Sequence, residues 1–238
     1  ELGVKLFART TRTFELTVAG KALMVEAADL LARMRMTIDT VRQIDRGEVG
    51  RLRVGIVGSA MWGPIPSLLE EFQTKFPNVT WTLHESGPTV QYEALRGKQI
   101  DVGFWREPKL DDDELKNDNL RQELCFRENV CVAVNEHHPL AKRPHIELMD
   151  IANEPMLTLA LDKSAFPRYL IQCCVNAGFE PTIFQEASEP QTLLAMVGAG
   201  LGVALMPETT SRIGWPGVIF LPIKTNPPSA NLYVAYTT

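Results

Sequence analysis

Apolar residues recur with three different periods along the chain. Residues 1–18 hold two short apolar pieces, Val4-Leu6-Phe7 and Phe14-Leu16-Val18, around a basic, Thr-rich tip at Arg9–Thr13. This pattern predicts a two-stranded ribbon or wing with a polar turn. From Thr17 and Gly20 to about Arg46 there is no Pro and no further Gly, so one long helix is expected. Along it Leu23, Ala27, Leu30, Met34, Thr37, Val41 and Ile44 step alternately by four and three, the a/d spacing of a heptad. Such a helix is about 40 Å long at 1.5 Å per residue, more than a small domain needs on its surface. The seam is therefore read as a dimerisation face, with a helix lying on its own body as the alternative. Gly47-Glu48-Val49-Gly50 ends it as a hinge.

Beyond the hinge, short apolar runs alternate with amphipathic ones. Strands are expected at Leu52–Val57, Val79–His84 and Ile100–Trp105, with helices at Ile65–Phe76 and Val90–Arg96 between them. A second set follows: strands Asn129–Val134, Met156–Leu161, Thr182–Glu186 and Gly202–Met206, with helices Phe166–Ala177 and Gln191–Val197. Val218–Leu221 and Leu232–Ala235 add two more strands. The alternation predicts an α/β fold of two open parallel sheets flanked by helices, with a cleft between the halves. Ligands of such sheets bind beyond the carboxyl ends of the strands.

Composition narrows the function classes. Of 238 residues 45% are hydrophobic and 22% charged, which excludes disorder. No apolar run is long enough to span a membrane, and no secretory leader is evident, so a cytoplasmic protein is expected. The four cysteines, Cys125, Cys131, Cys173 and Cys174, lack zinc spacing and read as reduced core thiols. The net charge of −5 is uneven: residues 1–53 hold ten Lys and Arg against seven Asp and Glu, a net of +3, leaving −8 on the remainder. A basic arm beside an acidic body suggests a polyanion partner for the arm, with a solvated helix face as the alternative.

Residues 1–23 carry the pattern L-G-x-x-L-F-x-R-x-x-R-x-x-x-L-T-x-A-G, here Leu2, Gly3, Leu6, Phe7, Arg9, Arg12, Leu16, Thr17, Ala19 and Gly20. This resembles the end of the winged helix-turn-helix domain of LysR-type transcriptional regulators. LRVGIVGSA running into Ser59, His138-Pro139-Leu140-Ala141, and the stretch Gly198–Pro207 are similar to the rest of that family, so the resemblance covers essentially the whole chain. It implies a bilobed effector-binding domain of two Rossmann-like subdomains, of the periplasmic-binding-protein type II kind, preceded by a linker helix and a winged-helix remnant. The implied boundaries are 1–18 for the wing, 19–47 for the linker helix and 52–238 for the effector-binding domain. Within the last, subdomain I takes 52–133 plus 207–238 and subdomain II takes 134–206. The recognition helix that reads bases in the major groove would precede Leu2, so the Glu-Leu-Gly opening is expected to mark a truncated regulator. What remains would touch promoter DNA through Arg9 and Arg12 of the wing, weakly and without sequence preference.

The cleft reading nominates ligand-binding residues. Ser59 sits where the first strand meets a helix start and offers donors to an anion, or serves as a plain N-cap. Ser86 and Thr89, after the second strand, offer similar donors. Trp105 and Arg106 end the third strand; an indole beside a guanidinium suits an aromatic or acidic solute, unless Trp105 is core and Arg106 pairs with Glu107 or a more distant carboxylate. Ser164 and Phe166 open a helix in the second half. By resemblance, Phe166 corresponds to the pocket aromatic of the subgroup that senses metabolites of aromatic degradation. The expected effector is a small organic acid, aromatic acids included, and the expected assembly a homodimer or homotetramer.

Other motifs carry less. Gly198-x-Gly200-x-Gly202 precedes a strand, so it reads as a helix end and turn and not a dinucleotide loop. His84, His137, His138 and His145 form no metal constellation, and no metal or other cofactor is expected. The run Asp111–Glu114 reads as a solvated loop. With no G-x-S-x-G elbow and no paired catalytic carboxylates, an enzyme is not expected. The competing function is a solute-binding protein of periplasmic-receptor type, against which the wing motif and the heptad seam both speak.

Overall fold

The computed structural model describes residues 2–9, 14–106 and 119–237. Arg12, Glu107 and the acidic run 111–114 lie outside the described residues, as does the side chain of Arg9. The chain forms two compact units, residues 1–50 with 76–80 and residues 51–75 with 81–238.

In the first unit β1 (Phe7–Arg9) and β2 (Phe14–Leu16) pair antiparallel, with Ala8 opposite Glu15. Thr17 then caps α1 (Val18–Asp45): its Oγ1 accepts from the Gly20 N–H at 3.0 Å and donates to the Lys5 carbonyl at 2.7 Å. Gly20 is required because a Cβ there would strike the Leu6 carbonyl. It is also the one buried residue of α1. The helix ends at Gly47, which takes φ +68°.

The body follows in the order β3 (Val49–Ile56), α2 (Ile65–Lys75), β4 (Asn78–Glu85), α3 (Pro88–Arg96), β5 (Val102–Trp105), β6 (Leu120–Phe126) and β7 (Val130–Asn135). Then come β8 (Met156–Leu159), α4 (Ala165–Asn176), β9 (Ile183–Ala187), α5 (Pro190–Gly198), β10 (Val203–Pro207), β11 (Val218–Pro222) and β12 (Leu232–Thr237). Two five-stranded sheets result, ordered β4-β3-β5-β12-β6 and β11-β7-β10-β8-β9. The bilobed α/β architecture is as expected, but the sheets are mixed and not wholly parallel. β12 runs antiparallel to β5 and β6, and β7 runs antiparallel to β10 and β11. These are strands that enter a lobe from the other one, so they arrive against the direction of the βαβ strands.

Both β7 and β11 lie in the second sheet, so the chain crosses between lobes at residues 127–129 and 223–231. The expected crossings, after 133 and after 206, cut through β7 and ahead of β11, because near-continuous apolar strands show no edge where one lobe ends. β6 was not expected at all. Its sequence LRQELCF is half polar and only Leu120 and Gln122 are buried, as befits a strand at the sheet edge.

The second lobe buries Val130, Val132, Val134, Leu170 and Cys174 on one sheet face and Leu157, Leu193, Leu194, Val197 and Ala204 on the other. In the first lobe Val54, Ile56, Ile65 and Phe104 pack on one face. Leu95, Ile100, Trp105 and Ala235 pack on the other. Cys131 and Cys174 are core thiols, as expected, but Cys125 on β6 faces solvent. Burial raises the thiols of Cys131, Cys173 and Cys174, the last to about 12.

Candidate functional site

Between the two sheets lies a cavity of about 520 Å³. It is built from strand ends and the helix starts that follow them. Val57–Ser59 come after β3, Glu85–Pro88 join β4 to α3, Lys163–Phe166 join β8 to α4, and Ser188–Gln191 join β9 to α5. The N-termini of α3, α4 and α5 thus border one space, and their helix dipoles favour negative charge there. A smaller apolar annex of about 40 Å³ continues past Phe166 toward Leu170, Leu205 and Met206.

The first lobe's edge of this cavity is held by a buried glutamine. Gln91, on α3, donates through Nε2 to the Ser86 carbonyl at 2.8 Å and accepts at Oε1 from the Phe104 N–H at 3.1 Å. Room for it comes from Gly55 and Gly103, which face each other across β3 and β5. A Cβ on Gly55 would lie 2.9 Å from Gln91 Oε1, and one on Gly103 would lie 2.7 Å from the Trp105 ring.

Arg106 forms the floor and is 4% exposed. Its Nε donates to Ser59 Oγ at 3.2 Å, and Nη1 donates to Glu128 Oε2 at 2.5 Å and to the Ala230 carbonyl at 2.6 Å. Glu128 sits in the first crossover and Ala230 in the second. The other oxygen of Glu128 accepts from the Thr209 N–H, just after β10 in the second lobe. Glu128 N–H donates to Asn231 Oδ1, and its carbonyl accepts from Ala230. One ion pair therefore ties both crossovers to both lobes. Burial lowers the Arg106 pKa, an effect that the Glu128 charge opposes.

The expected site residues divide accordingly. Ser59, Ser86, Arg106, Ser164 and Phe166 line the cavity. Ser59 is no N-cap, since Val57 holds that position, and its hydroxyl serves Arg106 instead. Ser164 does cap its helix, accepting from the Phe166 N–H at 3.2 Å. Phe166 stacks on Tyr169 with ring centroids 6.3 Å apart.

Two of the nominated residues, Trp105 and Thr89, are not among those lining the cavity, and for Trp105 the core alternative holds. Trp105 is 1% exposed among Leu95, Ile100 and Leu120, because successive strand residues point to opposite faces and only Arg106, past the strand end, turns to the cleft. Thr89 lies in α3 and is exposed, next to Pro88, which opens the helix and takes the rim position.

Residues that sequence reasoning missed are Gln91, Glu128, Glu85, Lys163, Ser188 and Glu189. Only Gln91 left a signal, a polar residue between paired glycine-containing strands. Glu128 in the run FRENV looked like an ordinary loop acid.

Residues 45–238 match the family model described as the LysR substrate binding domain. The HTH-type transcriptional regulator XapR of Escherichia coli K12 is 36% identical over 241 residues, covering 100% of this chain and 79% of that protein. The crystal structure of full-length CbnR complexed with its target DNA superposes with a TM-score of 0.82 at 26% identity, covering 100% of this chain and 79% of that one. The effector-binding domain of BenM with its effector benzoate gives 0.71 at 28% identity over 79% of this chain and 84% of that one. The chain belongs to the LysR family of transcriptional regulators.

Proposed function

We propose that this chain senses a small organic acid, aromatic acids included, in the cleft between its lobes, and through it sets the geometry of an oligomer on promoter DNA. The observation that carries the reading is the meeting of three helix N-termini with the Ser59 hydroxyl and the Phe166 ring in one cavity of about 520 Å³. That volume suits a small ring or chain acid. The BenM domain with benzoate and the CbnR complex with DNA support it by likeness.

In this reading Ser59, Ser86, Ser164 and Phe166 touch the effector. Arg106 acts behind them by orienting Ser59. A ligand that prefers one arrangement of the lobes shifts their populations. Residues 1–18 act as the wing, with Arg9 and Arg12 on phosphates. Residues 19–47 act as the linker helix, joining copies through Leu23, Ala27, Leu30, Met34, Thr37, Val41 and Ile44. Residues 52–238 act as the sensor. The protein works in the cytoplasm and binds its effector without turning it over.

A thermal-shift panel of small carboxylates and aromatic acids tests this. At one hundred times its Kd an effector adds about 2.7 kcal/mol to stability. For a chain of this size that raises Tm by about 5–10 °C. The rise should shrink for Ser59→Ala. A panel in which no acid moves Tm would contradict the reading.

A further inference from the structure

The charges around the cleft do not suit a bare acid. Arg106 is the cation a carboxylate would seek first, yet its guanidinium is committed to Glu128, Ser59 and the Ala230 carbonyl. Among the described residues lining the cavity, Lys163 is then the cation without a carboxylate partner, and its Nζ donates to Ser188 Oγ at 3.1 Å. Two carboxylates stand opposite it in charge: Glu85 at the end of β4 and Glu189 at the start of α5.

Among the described residues neither glutamate carboxylate has a hydrogen-bond or ion-pair partner. Glu189 holds the N-cap position of α5 but its side chain makes no capping bond. Glu85 lies over Gly58, where a Cβ would collide with its carboxylate, so the absence of a side chain at 58 gives it its place beside Ser59. An acid bringing only its own negative charge would desolvate these two carboxylates and leave them without donors, which costs affinity. An acid that also carries hydroxyl or ammonium donors turns the same two groups into recognition elements. The remaining hydroxyls complement this division. Ser59 Oγ and Ser188 Oγ already accept from Arg106 and Lys163, so their own O–H groups are left to donate to a carboxylate.

We propose that the effector is a small acid bearing hydrogen-bond donors, hydroxyl or amino groups. Lys163 and the helix N-termini draw its carboxylate, while Glu85 and Glu189 select for its donors. This rests on the acid reading above and adds to it the class of acid and the residues that choose it.

Calorimetry on the full chain at pH 7 tests the proposal with matched probes: benzoate against 3,4-dihydroxybenzoate and 3-aminobenzoate, and succinate against tartrate. In at least one set the donor-bearing acid should bind about tenfold tighter or better than the bare one, as sites built to bond a polar group discriminate strongly. The hydroxylated and aminated arms tell which donor is read. The double variant Glu85→Gln/Glu189→Gln, both positions at the surface, should shrink that ratio to about threefold or less. Lys163→Met should weaken every acid that binds. Equal binding of bare and donor-bearing acids to the parent, or a ratio that survives in the double variant, would overturn the proposal and leave the acid reading standing. Absence of binding by all five acids would remove the acid reading and the proposal together.

Discussion

The same residue types are treated in opposite ways in two regions of the molecule. On α1, Leu30 is 67% and Met34 60% exposed. In the body, Leu194 is 0% and Met206 2% exposed. Polar groups invert the pattern: the body buries Arg106, Glu128 and Gln91, while α1 offers an exposed Arg42–Asp39 pair at 3.9 Å. Even Thr37, a polar residue in the apolar seam, is satisfied locally by donating to the Arg33 carbonyl at 2.9 Å. The body thus has its own core, and its buried Arg106 and Glu128 are bonded to each other and to both crossovers. α1 instead leaves its apolar side chains exposed, and the proposal that residues 19–47 join copies would cover them with a second copy of the helix.

The largest effect that would test this contrast lies at the ion pair joining the lobes. Glu128→Ala leaves Arg106 buried without its counter-charge, which typically costs about 3–5 kcal/mol. A thermal melt of the body should fall by about 6–20 °C. A melt within a degree or two of the parent would show that the pair does not hold the lobes. Next come matched truncations in the two regions. Leu194→Ala should lose about 2–5 kcal/mol in a denaturant titration, because it opens a cavity in a packed core. Leu30→Ala should change unfolding of the body by no more than about 0.5 kcal/mol. Comparable losses at both positions would erase the distinction.

The smallest effect is electrostatic. Asp101 accepts from the Arg53 backbone N–H at 2.8 Å and pairs with its guanidinium, which holds the Asp101 carboxyl below its ordinary value. A carboxylate with a lowered pKa in the folded state stabilises at pH above its unfolded value, about 3.9, and loses that contribution as pH falls through the folded value. Asp101→Asn should therefore cost a little stability near neutral pH, and the gap from the parent should close in acid. A gap that stayed constant down to pH 2 would assign it to packing.

Much of this was legible in the sequence, for physical reasons that differ by region. The long helix announced itself through seven spaced residues and the lack of Pro and Gly. β3, β5, β8 and β10 did so as apolar runs. The cleft could be placed because strand ends and helix starts coincide at Ser59, Ser86 and Ser164. Pairings between distant segments stayed hidden. Nothing local marks Glu128 as the partner of Arg106, or places Lys163 beside Ser188. Nor does anything in IDVGFW say that Trp105 turns to the core while Arg106 turns to the cleft. β6 escaped because an edge strand needs few apolar residues, and the direction of β7 and β12 depends on where the chain crosses between lobes, which composition does not encode.

The proposal that α1 joins copies while the body keeps its own core is tested most directly by sedimentation. The chain should be measured at micromolar concentration beside the double variant Leu30→Glu/Met34→Glu. The account predicts a dimer or tetramer for the parent and at least a halving of the assembled mass for the variant, with the thermal melt of the body unchanged. A variant that sediments with the parent's mass would contradict it.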